Sequence, residues 1–108
     1  VEKTFEDVRN YTEKVAKAKG WELNPDQNFR SSIQEGLLSN FNRHGRLYCP
    51  CRDVEGEPKD NRDILCPCPY AVQDIQEYGQ CFCGLFVRPG FGKNGEEVSS
   101  IPERRPSK

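Results

Sequence analysis

The sequence predicts a small, mainly α single domain, with N-terminal helices packed on a loop-and-short-helix region organised by cysteine sulfur. Three observations carry this. The chain has 108 residues, of which 34% are apolar and 31% charged, with a mean hydropathy of −0.87, so its core is thin and needs a staple. Apolar residues recur at helical spacing through the first half. All six cysteines lie in the second half, as three Cys-x-Cys pairs. The expected division is a helical half over residues 1–45, a cysteine half over 46–88 and a loosely ordered tail over 89–108.

The first helix is read from Phe5, Val8, Tyr11, Val15 and Ala18, which recur at three- and four-residue steps and are closed by Gly20. Asn24 precedes Pro25, with Gln27 three residues on, which reads as an N-cap, a proline at N1 and a capping-box partner. A second helix is therefore expected from Pro25 to Arg43, stopped by Gly45, with Phe29, Ile33, Leu37 and Phe41 as its stripe and Leu38 beside it. In the second half, a polar, turn-rich segment is expected between Cys51 and Asp63, and a short helix over residues 70–78 ended by Gly79. Leu85-Phe86-Val87 is an apolar run expected to be buried. The tail is rich in Gly, Pro, Ser and charge and has little to bury.

Several classes drop out. No stretch approaches about 18 apolar residues, so no membrane span is expected. Net charge is −1 and the pI about 5.9, which gives no global drive toward nucleic acid or anionic lipid. Val1 to Asp7 is charged and no hydrophobic secretory segment follows, so the expected compartment is the cytoplasm. The chain begins at Val1 and contains no Met, which leaves a removed leader or tag open.

The cysteine pairs are 49/51, 66/68 and 81/83, separated by spacers of 14 and 12 residues. Four chemistries compete for six sulfurs. A secreted disulfide scaffold conflicts with the paired spacing and the charged helical half. Structural zinc takes four ligands, usually with wider spacing within a pair, and leaves two thiols over. An iron–sulfur electron carrier also leaves two thiols over, and ferredoxin-type runs are spaced differently. A cluster held by four thiolates beside a redox-active pair uses all six.

The Cys49-Pro50-Cys51-Arg52, Cys66-Pro67-Cys68 and Cys81-Phe82-Cys83-Gly84-Leu85-Phe86 series resembles the catalytic (beta) chain of ferredoxin-thioredoxin reductase, over roughly residues 37–88. The resemblance implies a single catalytic domain folded around a [4Fe-4S] cluster. Cys49, Cys66, Cys68 and Cys81 would bind its iron, and Cys51 and Cys83 would form the active-site disulfide. Cys51 would be the exchange thiol and Cys83 the sulfur facing the cluster. Electrons would come singly from ferredoxin and pass to thioredoxin or a glutaredoxin-like protein. The alternative from another class is a non-catalytic iron–sulfur or zinc-binding electron-transfer or interaction module.

The chain departs from the family at Phe82, where a histidine thought to assist proton transfer normally stands, and in its spacer lengths. These departures resemble the archaeal and bacterial branch that works without the small variable subunit. His44 is expected to sit at the end of the second helix, where a cation suits the dipole, or else to replace the missing histidine. Tyr48 and Tyr70 are expected to pack around the cysteines, with proton donation as their second reading. Arg43, Arg46 and Arg52 form a stretch without an acid, expected, with Arg88 and Lys93, to steer an acidic ferredoxin. Arg52 and Arg46 are also expected to favour the Cys51 thiolate.

Overall fold

The first helix is set by Thr4. In the computed structural model, which describes residues 3–106, the Thr4 hydroxyl accepts from the Asp7 N–H at 3.2 Å and the Asp7 carboxylate accepts from the Thr4 N–H at 2.9 Å. The helix, α1, runs Phe5–Lys19 and stops where Gly20 turns left-handed at φ 75°. Its innermost line is Val8, Thr12 and Ala16, whereas Ala18, expected on the apolar stripe, is exposed. Thr12 can be buried because its hydroxyl donates to the Arg9 carbonyl and accepts from Gln34 Nε2, each at 2.9 Å.

A two-residue strand, β1 (Glu22–Leu23), follows and pairs antiparallel with β2 (Phe86–Val87), setting Glu22 opposite Val87 and Leu23 opposite Phe86. This pairing brings the chain just after the third cysteine pair against the helical half. Asn24 makes the same link with its side chain and backbone. Its Nδ2 donates to the Gly84 carbonyl at 2.9 Å and its N–H donates to the Leu85 carbonyl at 2.8 Å.

Helix α2 spans Gln27–His44 and is capped by Asp26 rather than Asn24. Asp26 Oδ1 accepts from the N–H groups of Asn28 and Phe29, each at 3.1 Å. Asn24 is engaged with Gly84, and its Oδ1 accepts from the Asp26 N–H at 2.9 Å, so it shapes the turn before the cap. α2 ends at Gly45, as its sequence implies. Leu37 is fully buried on it, which stabilises the fold by about 1.5–3 kcal/mol. Gly36 meets the first cysteine pair: a Cβ there would stand 2.7 Å from Pro50 Cβ.

The segment expected to be turns contains a short 3-10 helix, Pro58–Ile64, organised by the buried Asn61. Asn61 Oδ1 accepts from the Glu55 N–H, and Nδ2 donates to the carbonyls of Glu55 and Glu57. Helix α3, Ala71–Tyr78, ends at Gly79 as expected. The core joins Val8, Leu37, Ala71, Ile75, Leu85 and Phe86 with the cysteines, and Trp21 lies across Phe86 at 5.5 Å between ring centroids.

Residues 89–106 carry no helix or strand, as their composition implies, yet polar side chains hold them to the domain. The N–H of Ser99 donates to Gln80 Oε1, Glu103 pairs with Arg52, Arg104 with Asp74, and Arg105 with Asp63. Among the described residues no helix is long and apolar enough to cross a membrane.

Candidate functional site

Each cysteine pair reaches the centre by a different device. The first follows α2, seated by the Pro50–Gly36 contact and by a bridge between Tyr48 and Leu65. The Cys49 N–H donates to the Ile64 carbonyl at 2.7 Å and the Cys66 N–H to the Leu47 carbonyl at 2.9 Å, which ties the first pair to the second. The second pair leads into α3, with the Ala71 N–H bonded to the Cys68 carbonyl. The third forms a tight loop: the Gly84 N–H donates to the Cys81 carbonyl and the Cys81 N–H to the Phe86 carbonyl, each at 2.9 Å.

All six cysteines are free thiols in the structure, and they divide between two adjoining cavities. Cys49, Cys66, Cys68, Cys81 and Cys83 line an inner one, closed by Pro67, Ala71, Phe82 and Phe86. Cys51 lies in an outer cleft with Cys83, Phe82, Phe29, Gln80 and residues 98–100. Cys83 faces both and sits 3.8 Å from the Cys81 sulfur. Cys51 is the one exposed cysteine among the described residues. No group of three or more His, Cys, Asp or Glu side chains among them is placed to hold a metal ion.

Electrostatics separate the sulfurs. Hydrogen bonding with Cys49 and Cys83 lowers the Cys51 thiol to about 4, while the same interaction with Cys51 raises Cys49 to about 11. Cys83 is raised well above the ordinary thiol range, first by its contacts with Cys49, Cys51 and Cys81 and then by burial. Burial, followed by the neighbouring Cys81, Cys49 and Cys68, also raises Cys66. Cys81 is lowered, chiefly by Cys83, despite complete burial; the Phe86 N–H also reaches its sulfur at 3.4 Å.

Arg52 departs from the sequence-based expectation in its steering role and keeps its expected effect on Cys51. Its side chain is 2% exposed, so it cannot belong to an exposed steering patch, whereas its charge does lower the neighbouring Cys51, after the larger effects of Cys49 and Cys83. Its Nη1 donates to the Cys68 sulfur at 3.1 Å, and its Nε and Nη2 donate to the two carboxylate oxygens of Glu103 at 2.8 Å each. Its guanidinium lies 4.5 Å from the Phe82 ring centre and 5.2 Å from that of Tyr70. Phe82, at the position of the family histidine, therefore serves as a stacking face for a buried cation.

The remaining candidates are placed as follows. His44 ends α2, is exposed and packs edge-on against Tyr48, away from both cavities. Tyr48 is buried, in line with a packing role. The Tyr70 hydroxyl donates to Asp63 Oδ2 at 2.7 Å, and Asp63 in turn accepts from Arg105 at 3.0 Å. Arg43 and Arg46 are exposed. Sequence reasoning missed three residues that shape the site: Glu103, Gln80 and Tyr11, whose hydroxyl donates to the Cys66 carbonyl at 2.8 Å. Tyr11 carries a helix-stripe signal that core packing also explains; Glu103 and Gln80 carry no local signal.

Comparison with known proteins identifies relatives of this chain. The chain is 27% identical over 88 residues to the chloroplastic ferredoxin-thioredoxin reductase catalytic chain of Arabidopsis thaliana, covering 82% of this chain and 59% of that one. It is 26% identical to the corresponding chains of Glycine max, over 89% of this chain and 65% of that one, and of Spinacia oleracea, over 82% and 58%. The chain thus spans about three fifths of the length of these relatives. The family model described as ferredoxin thioredoxin reductase catalytic beta chain matches residues 1–103, cysteine pairs and N-terminal helices included, and the chain belongs to that family.

Proposed function

We propose that this chain is a disulfide reductase that takes electrons from ferredoxin through a [4Fe-4S] cluster and delivers them to thioredoxin or a similar protein disulfide. The observation that carries the reading is Cys83, which faces both the inner cavity and the outer cleft that holds Cys51. Family membership supports the activity, and the names of the relatives support the two partners.

The residues fit a cluster. Cys49, Cys66, Cys68 and Cys81 are four thiol donors around one mostly apolar cavity. A cubane spreads its thiolates over four irons, so its ligands need not converge on one point. Arg52 at Cys68 and the Phe86 N–H at Cys81 offset the negative charge such ligands carry. A cluster held by these four thiolates would supply electrons one at a time for reducing a Cys51–Cys83 disulfide.

The exchange itself belongs to Cys51 and Cys83. The Cys51 thiolate attacks one sulfur of the partner disulfide; the Cys51–sulfur bond forms, the partner S–S bond breaks, and the second partner sulfur leaves as a thiolate. Cys83 then attacks Cys51, closing the Cys51–Cys83 disulfide and releasing the first partner sulfur. The partner gains two electrons and two protons, and the new disulfide must be reduced before another turn. Exposure suits Cys51 to meet a protein, and burial suits Cys83 to resolve the adduct and stay out of side reactions. A reducing cytoplasm is the compartment this chemistry fits.

The test is iron and labile-sulfide analysis of the purified protein, followed by thiol release from oxidised thioredoxin with reduced ferredoxin as donor. Four irons per chain and ferredoxin-dependent thiol release are expected. Iron without thiol release would favour a non-catalytic electron-transfer module. Zinc in place of iron would overturn the cluster.

A further inference from the structure

The outer cleft does not end at the sulfurs. It adjoins a second hollow through two shared residues, Phe29 and Val98. Asn24, Pro25, Asp26, Phe91, Glu96 and Glu97 complete the second hollow. Taken together they make one groove, with the exposed Cys51 in the first hollow, Phe29 shared by both, and the carboxylates of Asp26, Glu96 and Glu97 in the second.

The groove has fixed walls. Phe29 closes on the third cysteine loop so tightly that a Cβ at Gly84 would stand 3.1 Å from its ring. The opposite wall is the tail, anchored where the Ser99 N–H donates to Gln80 Oε1 at 2.8 Å and Gln80 Nε2 donates to the Ser99 carbonyl at 2.9 Å. Gln80 directly precedes Cys81, so the wall is registered to the cysteine loop.

The carboxylates differ in what they have left to offer. Glu96 is paired with Arg88 and accepts from the Gly92 N–H. Asp26 caps α2 through Oδ1. Arg30 is turned onto the Asn24 carbonyl. Glu97 is exposed and has no partner among the described residues. The far end of the groove is thus negative and favours a cation.

We propose that this groove seats the loop flanking the disulfide of the protein partner, and that the partner presents a lysine or arginine there, against Glu97. The inference rests on Cys51 being the attacking sulfur. The chemistry also sorts the two protein partners. An acidic electron donor is repelled from this end and drawn to the exposed Arg43 and Arg46, while a basic disulfide loop is drawn in.

The experiment uses the full chain carrying Cys83→Ser, in which a Cys51 adduct cannot be resolved. Two synthetic peptides serve as probes, each a short loop closed by one disulfide and differing only in a lysine or a glutamate beside a cysteine. In each case Cys51 bonds to one peptide sulfur, the peptide disulfide opens, and the other sulfur leaves as a thiolate. Adduct formation on Cys51 is followed by mass spectrometry, with a small aromatic disulfide as reference for the reactivity of the sulfur.

At low salt the lysine peptide is expected to react about fivefold faster than the glutamate peptide, the scale of one exposed ion pair. The ratio should fall as salt rises. Adding Glu97→Lys should abolish or invert the preference. Equal rates for both peptides in both backgrounds, with the small disulfide still reacting, would overturn the groove and leave Cys51 as the attacker. No adduct with any of the three disulfides would remove the exchange reading, and the groove with it.

Discussion

Glu103 grips Arg52 through both carboxylate oxygens at 2.8 Å, across a separation of 51 residues, while a third nitrogen of the same guanidinium touches the Cys68 sulfur. The tail is thereby connected to the cysteine centre by one side chain. A planar fork with several fixed donors can do this; an ammonium cannot hold all three directions at once.

Loss of either partner should loosen the centre. In Arg52→Gln the Cys68 sulfur loses its charged donor, and in Glu103→Gln Arg52 loses its orienting carboxylate. Iron release to a chelator should accelerate about 10- to 100-fold in Arg52→Gln and less in Glu103→Gln. Arg52→Lys should recover only part of the loss. Unchanged iron release in a folded Arg52→Gln protein would make the contact incidental.

The same pair sets an acid dependence. Arg52 lowers the Glu103 carboxyl below its ordinary 4.5. The folded state thus favours the charged form, so this contribution is fully present above 4.5 and is lost as pH falls through the lowered folded value. Thermal melts from neutral pH to about pH 3 should show stability falling more steeply in wild type than in Glu103→Gln. Parallel pH profiles would assign acid sensitivity to other carboxylates.

The two exchange sulfurs should separate by trapping. After mixing with oxidised thioredoxin, Cys83→Ser should accumulate a mixed disulfide at Cys51, and Cys51→Ser should form none. Both variants should keep their iron, whereas Cys66→Ala should lose it. An adduct confined to Cys83 in Cys51→Ser would reverse the roles, and a stable cluster in Cys66→Ala would break the ligand assignment.

Gly36→Ala tests the seat of the first cysteine pair. Alanine is the better helix former by about 1 kcal/mol, so a free helix would gain. Here the added carbon would stand 2.7 Å from Pro50 Cβ, close to the backbone that carries Cys49 and Cys51. Such overpacking costs about 1–3 kcal/mol, and the variant should melt lower despite its propensity. A higher melting temperature would show that the loop yields freely.

Reduction by ferredoxin should fall with rising salt and with charge reversal at the exposed Arg43 and Arg46, but not when a small chemical reductant is the donor. Arg52 has no part in this surface because it is buried. Equal loss with both donors would point to damage at the centre.

The helices and the family resemblance are legible along the chain. α1, α2 and α3 each stop at a glycine in the left-handed region, a local requirement that three or four neighbouring residues express. The Cys-x-Cys series is local too, and it carries the family resemblance. Cap choice was less legible: Asn24 and Asp26 both satisfy the local rule, and only the distant carbonyls of Gly84 and Leu85 draw Asn24 away.

Which sulfur each charged side chain serves depends on contacts made only in the folded chain. Arg52 neighbours Cys51 along the chain but reaches Cys68 in space, because its side chain runs inward between Phe82 and Tyr70 to meet Glu103. The tail reads as solvated from its composition, since little in it can be buried. What holds it is a set of hydrogen bonds and ion pairs to Gln80, Arg52, Asp74 and Asp63, partners 19 to 51 residues away. Such pairs leave no periodic trace, because each depends on two distant residues meeting in the folded chain rather than on a pattern along it.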